Sequence, residues 1–195
     1  MLTRRNVLTA GISLGLLSAC SSPPPAPPPF PDIRFPGASA MVLDAIRVEI
    51  RSQQEPGEFD RSFPVPPLQA MMNWGRDRLK ASGRGTGVAR FTIVHASAVQ
   101  QNLTTKGGIS GTFTDQASQQ YDVAVEGTVE ILDEHGMAVR TARASANRSR
   151  SVLQSATPNE RDTVRYEMVK ALMADFDQQM ESYIRNNFGL YLLSR

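Results

Sequence analysis

Cysteine is nearly absent from this chain of 195 residues. A single one, Cys20, excludes an internal disulfide and any zinc or iron–sulfur site built from several thiolates. Histidine is almost as scarce: only His95 and His135 occur, far apart and without acidic residues at metal-ligand spacing, so no zinc site is expected and no cofactor is implied. No run of about 18 apolar residues is present, which excludes a conventional spanning helix. Charge of one sign is missing too, since 21 Lys and Arg face 19 Asp and Glu, an excess too small to indicate nucleic acid as a partner. With 41% hydrophobic and 21% charged residues, the composition is that of a globular chain able to bury a core.

What is present begins with an address. The chain opens MLTRRNVLTAGISLGLLSAC, in which Arg4 and Arg5 precede an apolar stretch from Val7 to Leu17. A charged start, a short apolar middle and small residues at the end are the parts of a secretory signal. Leu17-Ser18-Ala19-Cys20 resembles a bacterial lipobox: an aliphatic residue, two small residues, then a cysteine for acylation. That resemblance implies cleavage between Ala19 and Cys20, a diacylglycerol on the Cys20 thiol, and a protein held on its membrane by lipid. Thr3-Arg4-Arg5-Asn6-Val7-Leu8 also resembles a twin-arginine export signal, while two arginines are equally at home in the general one, so both routes stay open. In lipoproteins of enterobacterial type an Asp after the cysteine retains the protein in the inner membrane. Ser21 stands there instead, and the resemblance therefore implies the outer membrane, facing the periplasm.

Eight of the 13 prolines lie between Ser21 and Pro36. Such a run favours extended polyproline II, and roughly 14 residues at about 3.1 Å each would reach about 40 Å. The expected organisation is thus a signal peptide over 1–19, a lipidated cysteine and Pro-rich tether over 20–38, and one globular domain over 39–195.

Within that domain the periodicity changes repeatedly. Met41 to Arg51 alternates, with Ile46, Val48 and Ile50 on one side, and predicts a half-buried strand. Pro67 suits a first helical position; Leu68, Met71, Met72, Gly75 and Leu79 recur at helical spacing beside Trp74, and Gly83 is placed to end a helix over 67–82. Val88 to Val99 predicts a central strand, with Phe91, Ile93, His95 and Val99 on one face. Tyr121 to Leu132 predicts another, turned at Asp133-Glu134-His135-Gly136 into a fourth from Met137 to about Arg150. On that last strand Ala142, Ala144 and Ala146 form a thin stripe suited to close approach of a helix. Thr157-Pro158-Asn159-Glu160 combines a capping box with Pro at the first helical position, and a stripe from Val164 through Met168, Leu172, Phe176, Met180, Tyr183 and Ile184 to Phe188 runs until Gly189. A helix this long would overhang strands of about 10 residues, which reach only some 33 Å; either the excess binds something or Leu190-Tyr191-Leu192-Leu193 folds back over it.

The order β-α-β-β-β-α predicts an α+β two-layer sandwich, a four-stranded mixed sheet with two helices on one face. In lipobox, tether and element order the chain resembles small envelope lipoproteins of Gram-negative bacteria, including the lipopolysaccharide-assembly lipoprotein and the auxiliary lipoproteins of lipid-transport ABC systems. The resemblance implies an accessory or assembly role in an envelope protein complex, or alternatively the carriage of a lipid or glycolipid. Only Cys20 has a role that the resemblance transfers.

Catalytic patterns are not found. There is no G-x-S-x-G elbow, and Gly83, Gly85 and Gly87 follow a helix and precede a strand, the reverse of a phosphate loop, so a non-enzymatic protein is expected. Two features suggest binding. The span Asn102 to Gln119 is long for a hairpin loop and carries Lys106 and Phe113, the latter an anchor for a partner or lipid unless it tucks against the sheet edge. The second is a basic set of Arg140, Arg143, Arg148 and Arg150, with Arg161 and Arg165 as candidates to join it. Guanidinium groups grip phosphate in bidentate fashion, which makes an anionic lipid a ligand class to test. The plainer reading is a solvated face balanced by Glu126 and Glu130 of the neighbouring strand.

Overall fold

A computed structural model describes residues 30–36, 38–103 and 116–193. The chain forms β1 (Met41–Leu43), β2 (Arg47–Ser52), a short 3-10 turn (Asp60–Ser62), α1 (Pro67–Arg78), β3 (Leu79–Ala81), β4 (Val88–Asn102), β5 (Ala117–Leu132), β6 (Ala138–Leu153), α2 (Pro158–Asn187) and a closing 3-10 turn (Gly189–Tyr191). The main sheet has the order β2-β4-β5-β6, with β2 parallel to β4 and the other pairs antiparallel. Both helices cover one face of it. The α+β two-layer architecture is therefore the one the periodicity implies, with a two-stranded parallel sheet, β1-β3, added beside it.

That small sheet corrects the first strand. Met41 to Arg51 is two strands, because the chain switches sheets at Asp44–Ile46: Ala45 donates to the Leu43 carbonyl and Ile46 to the Gly87 carbonyl, both at 2.9 Å. Val48 and Ile50 face the core as expected, but Ile46 is left 47% exposed. The first helix is likewise shorter than the expected 67–82. It ends at Arg78 because Leu79 turns extended to pair with Met41, and Gly83, at φ 73°, ends β3 instead of the helix. Trp74, read as lying beside the apolar stripe, is at its centre: fully buried, with its ring centroid 4.9 Å from Phe91 and 5.1 Å from Phe176. Gly127 on β5 makes room for this cluster, since a Cβ there would lie 2.7 Å from Phe91.

A bulge between Ile93 and His95 shifts the phase of β4. Ala89, Phe91 and Ile93 face the core, then Ala96 and Ala98, so His95 and Val99 are exposed and not on the Phe91 face as strict alternation predicted. An extra residue in one strand reverses every later side chain. Beyond this bulge β2 no longer covers β4, and the buried Asp60 carboxylate takes over, accepting from the Gly57 amide at 2.6 Å and from the Ala98 amide.

The long strands also resolve the helix that seemed to overhang. β5 and β6 have 16 residues each, close to 53 Å at about 3.3 Å per residue, whereas α2 at about 1.5 Å per residue needs some 45 Å. α2 lies mainly on β6, over the buried stripe Ala142, Ala144 and Ala146. Its start carries the predicted capping box, in which the Glu160 amide donates to Thr157 Oγ1 and the Thr157 amide to Glu160 Oε2. The stripe from Met168 to Phe188 is buried except for Tyr183, 46% exposed. After Gly189 the chain folds back: Leu192 bridges to Leu43 and Tyr191 packs against the core, while Leu190 points out at 92% exposure.

Residues 30–36 belong to this packing. Ile33 is buried in the core, and Phe30 lies 5.1 Å from the Tyr166 ring. Arg34 grips Asp77 of α1 in bidentate fashion, through Nε at 2.8 Å and Nη2 at 2.6 Å. The last part of the Pro-rich segment is thus docked on the domain, not extended away from it.

Candidate functional site

Ala19, Cys20, Lys106 and Phe113 lie outside the described residues. Of the span Asn102–Gln119 the described part is strand: Asn102 pairs with Gln119 and the Leu103 amide donates to the Ser118 carbonyl at 2.8 Å.

The basic set is inside the described residues, and the sheet divides it. Arg140, Arg148 and Arg150 pair in register with Ile131, Val123 and Tyr121, all core-facing, so these three lie on the helix side of β6. Arg143 pairs with Thr128 and lies on the opposite, open face. Arg140 and Arg143, read together as one possible ligand site, are therefore on opposite sides of the sheet. Three residues apart on a strand, they cannot share a face.

Each arginine then has its own surroundings. Arg143 pairs with Glu126, as the balanced-face reading expected, while Glu130 stands in register with Arg90 of β4. Arg148 reaches Asp175 of α2 at 2.6 Å. Arg140 stacks over the Tyr191 ring at 5.3 Å. Arg161 donates to Gln119 Oε1 at 2.5 Å and to the Ala156 carbonyl at 3.0 Å, closing the start of α2 onto the sheet. Arg165 is inserted among Phe59, Phe63 and Tyr121, 4.9 Å from the Tyr121 ring, and pairs with Asp162 at 3.1 Å. The last two arginines are thus parts of the fold. Among the described residues, Arg140 and Arg150 have no carboxylate within ion-pair distance.

The open face of the sheet is polar and internally paired. Glu49 accepts from Arg47 at 2.7 Å and from Arg51 at 2.9 Å; the hydrogen bond from Arg47, with the charges of Arg51 and Arg90, holds its carboxyl below the usual range against the opposing effect of burial. His95 lies there, exposed, in register with Glu126 of β5 and within 2.7 Å of Ser97 Oγ, and His135 is in the β5–β6 turn, 4.0 Å from Asp133. No group of three metal-ligating side chains is assembled among the described residues.

Two shallow cavities follow the seam between β6 and α2. One, of about 280 Å³, is bounded by Ser145, Asn147, Asp175 and Gln178; the other, of about 340 Å³, by Arg150, Val152, Leu153, Glu160 and Val164. Beside them the outer edge of β6 pairs with no strand among the described residues. Edge, seam and unpaired arginines together are the most distinctive surface of the domain. The sequence named its arginines, but not the edge they line, because strand order is decided by non-local pairing.

No family model matches the chain, and no curated protein matches it in sequence. Among solved structures it is similar to rare lipoprotein B from Shewanella oneidensis, at 18% identity over 71% of this chain and 96% of that one, with a TM-score of 0.42. It is similar to a minor lipoprotein from Acinetobacter baumannii at 14% identity over 74% and 94%, with a TM-score of 0.40. A lipoprotein B from Nitrosomonas europaea shares 15% identity over 78% and 92%, with a TM-score of 0.35. These neighbours are bacterial lipoproteins by name, and likeness at this level assigns the chain neither a family nor an activity.

Proposed function

We propose that this protein is a lipid-anchored lipoprotein of the bacterial outer membrane, facing the periplasm, that acts as a non-enzymatic accessory or assembly factor in an envelope protein complex. The observation that carries the reading is the complete lipidation address: Arg4-Arg5, the apolar stretch to Leu17, and Ser18-Ala19-Cys20 followed by prolines. The domain behind it supports a role in contacts, since several of its ionisable side chains are tied into structural pairs such as Arg143–Glu126 and Arg148–Asp175. The lipid-carrier alternative drew on the basic set as a grip for phosphate, and Arg143 lies on the face opposite Arg140, Arg148 and Arg150, so it cannot join them in one groove.

The test is a Cys20→Ser variant expressed beside the parent chain. Metabolic labelling with palmitate is expected to be lost, the signal to stay uncleaved, and the protein to leave the outer-membrane fraction. Labelling that persists in the variant overturns the anchor. Photo-crosslinking from residues on β6 and the 104–115 segment is expected to trap envelope proteins; extractable lipid co-purifying with the domain in their place would favour the carrier.

A further inference from the structure

We propose that the outer edge of β6 receives an acidic, extended segment of a partner protein, which adds to the sheet as a fifth strand. The inference rests on the accessory-factor reading and names the partner's chemistry. β6 is 16 residues long and forms the end of the sheet, so a row of its backbone N–H and C=O groups faces outward. Such an edge is a template for another strand. Along those 16 residues stand Arg140, Arg143, Arg148 and Arg150 and no acid. Arg143 and Arg148 already hold Glu126 and Asp175, whereas Arg140 and Arg150 have no carboxylate partner among the described residues. The two share one side of the strand and are separated by about 33 Å at about 3.3 Å per residue, the reach of a ten-residue extended segment.

A second copy of the chain fits this edge poorly. Antiparallel pairing sets side chains of the same face opposite each other, and one of the near-complete overlaps of β6 with itself sets Arg140 opposite Arg150. Like charges directly across a ladder are destabilising. An acidic strand meets the same arginines with opposite charge.

Fluorescence anisotropy on the full chain in detergent tests this, with a labelled (Glu-Thr)5 peptide as probe and (Lys-Thr)5 as control. The acidic peptide is expected to bind, and more weakly as salt is raised. Reversing both free charges, Arg140→Glu with Arg150→Glu, should weaken it by about tenfold or more and transfer the preference to (Lys-Thr)5. Trp74 fluorescence reports that the variant is folded. Two further peptides, N-methylated on every Glu or on every Thr, separate strand addition from simple charge attraction. An added strand presents only one row of amides to β6, so one peptide is expected to lose binding and the other to keep it. Binding that survives both methylations, that ignores the charge reversal, or that is absent at millimolar peptide overturns the proposal. So does a dimer in sedimentation that the same reversal dissociates, or displacement of the peptide by phosphatidylglycerol added to the detergent micelles. Failure here with Cys20-dependent membrane retention intact dismisses the edge and leaves the accessory reading standing; loss of retention with peptide binding intact does the reverse.

Discussion

Arg78 is completely buried, and three chain segments are arranged around its guanidinium. Nε donates to Asp177 at 2.6 Å, Nη2 to Glu181, and Nη1 to the Ser39 carbonyl, while Trp74 donates to the same Asp177 oxygen at 2.7 Å. A buried cation is tolerated only when its donors are answered. Glu181 is itself pushed up by burial, but the hydrogen bond from Arg185 and the charges of Arg78 and Arg185 leave its carboxyl below the usual range. Arg78→Ala opens a void and separates α1, α2 and the 38–40 segment, so unfolding in denaturant is expected to show a loss of about 3 to 5 kcal/mol. Arg78→Met should cost less, because Asp177 and Glu181, 18% and 29% exposed, can be rehydrated. Trp74, the only tryptophan, reports both transitions. None of this was legible in sequence: the partners are 99 and 103 residues away, and an Arg in the last turn of a helix ordinarily faces water.

At the scale of elements, local signals were read where the chemistry is local. The capping box and Pro158 fixed the start of α2, and Asp133 and Gly136 fixed the β5–β6 turn, with the Met137 amide on Asp133 Oδ1 at 2.8 Å. Thr157→Ala is expected to destabilise the fold by about 1 kcal/mol in thermal melts at neutral pH. The deficit should shrink in acid. Hydrogen bonds from the Thr157 amide, then from its hydroxyl, hold the Glu160 carboxyl below its ordinary value. A depressed acid stabilises the folded state above its unfolded pKa of 4.5 and loses that contribution as pH falls through the folded value. A deficit that stays constant from pH 7 to below pH 4 would show that the hydroxyl–carboxylate bond adds nothing. The β4 bulge and the sheet switch at Asp44–Ile46 went unread for the opposite reason. Each is set by what β5, Gly87 and β3 offer across the gap, and alternation along one strand carries no trace of it.

For the whole molecule, the boundary between tether and domain matters most. Phe30 and Ile33 pack on the core and Arg34 clasps Asp77, so a chain starting at Phe30 and one starting at Ala40 should differ. The shorter is expected to lose about 2 kcal/mol or more, from the burial of Ile33 alone, and to melt at a lower temperature. The docking of Arg34 and of the Phe35 amide keeps Asp77 below its ordinary 3.8, so this difference should narrow as acid protonates it. Equal melting temperatures would return residues 30–39 to the tether. Under the proposed cleavage, residues 1–19 would take with them Arg4 and Arg5 and no acid, leaving 19 basic against 19 acidic side chains.

By itself the sequence determined the fold class and the start of the long helix, and it carries the pattern on which the proposed address rests. These depend on neighbouring residues: a charged end beside an apolar stretch, a period of two or of 3.6, a hydroxyl three residues from a carboxylate. The tertiary structure alone decided which side of the sheet each arginine occupies, that Arg78 is sealed inside, and that β6 is the strand left with an open edge. Those outcomes come from contacts between segments distant in the chain, where packing and pairing choose among arrangements that the local pattern permits equally.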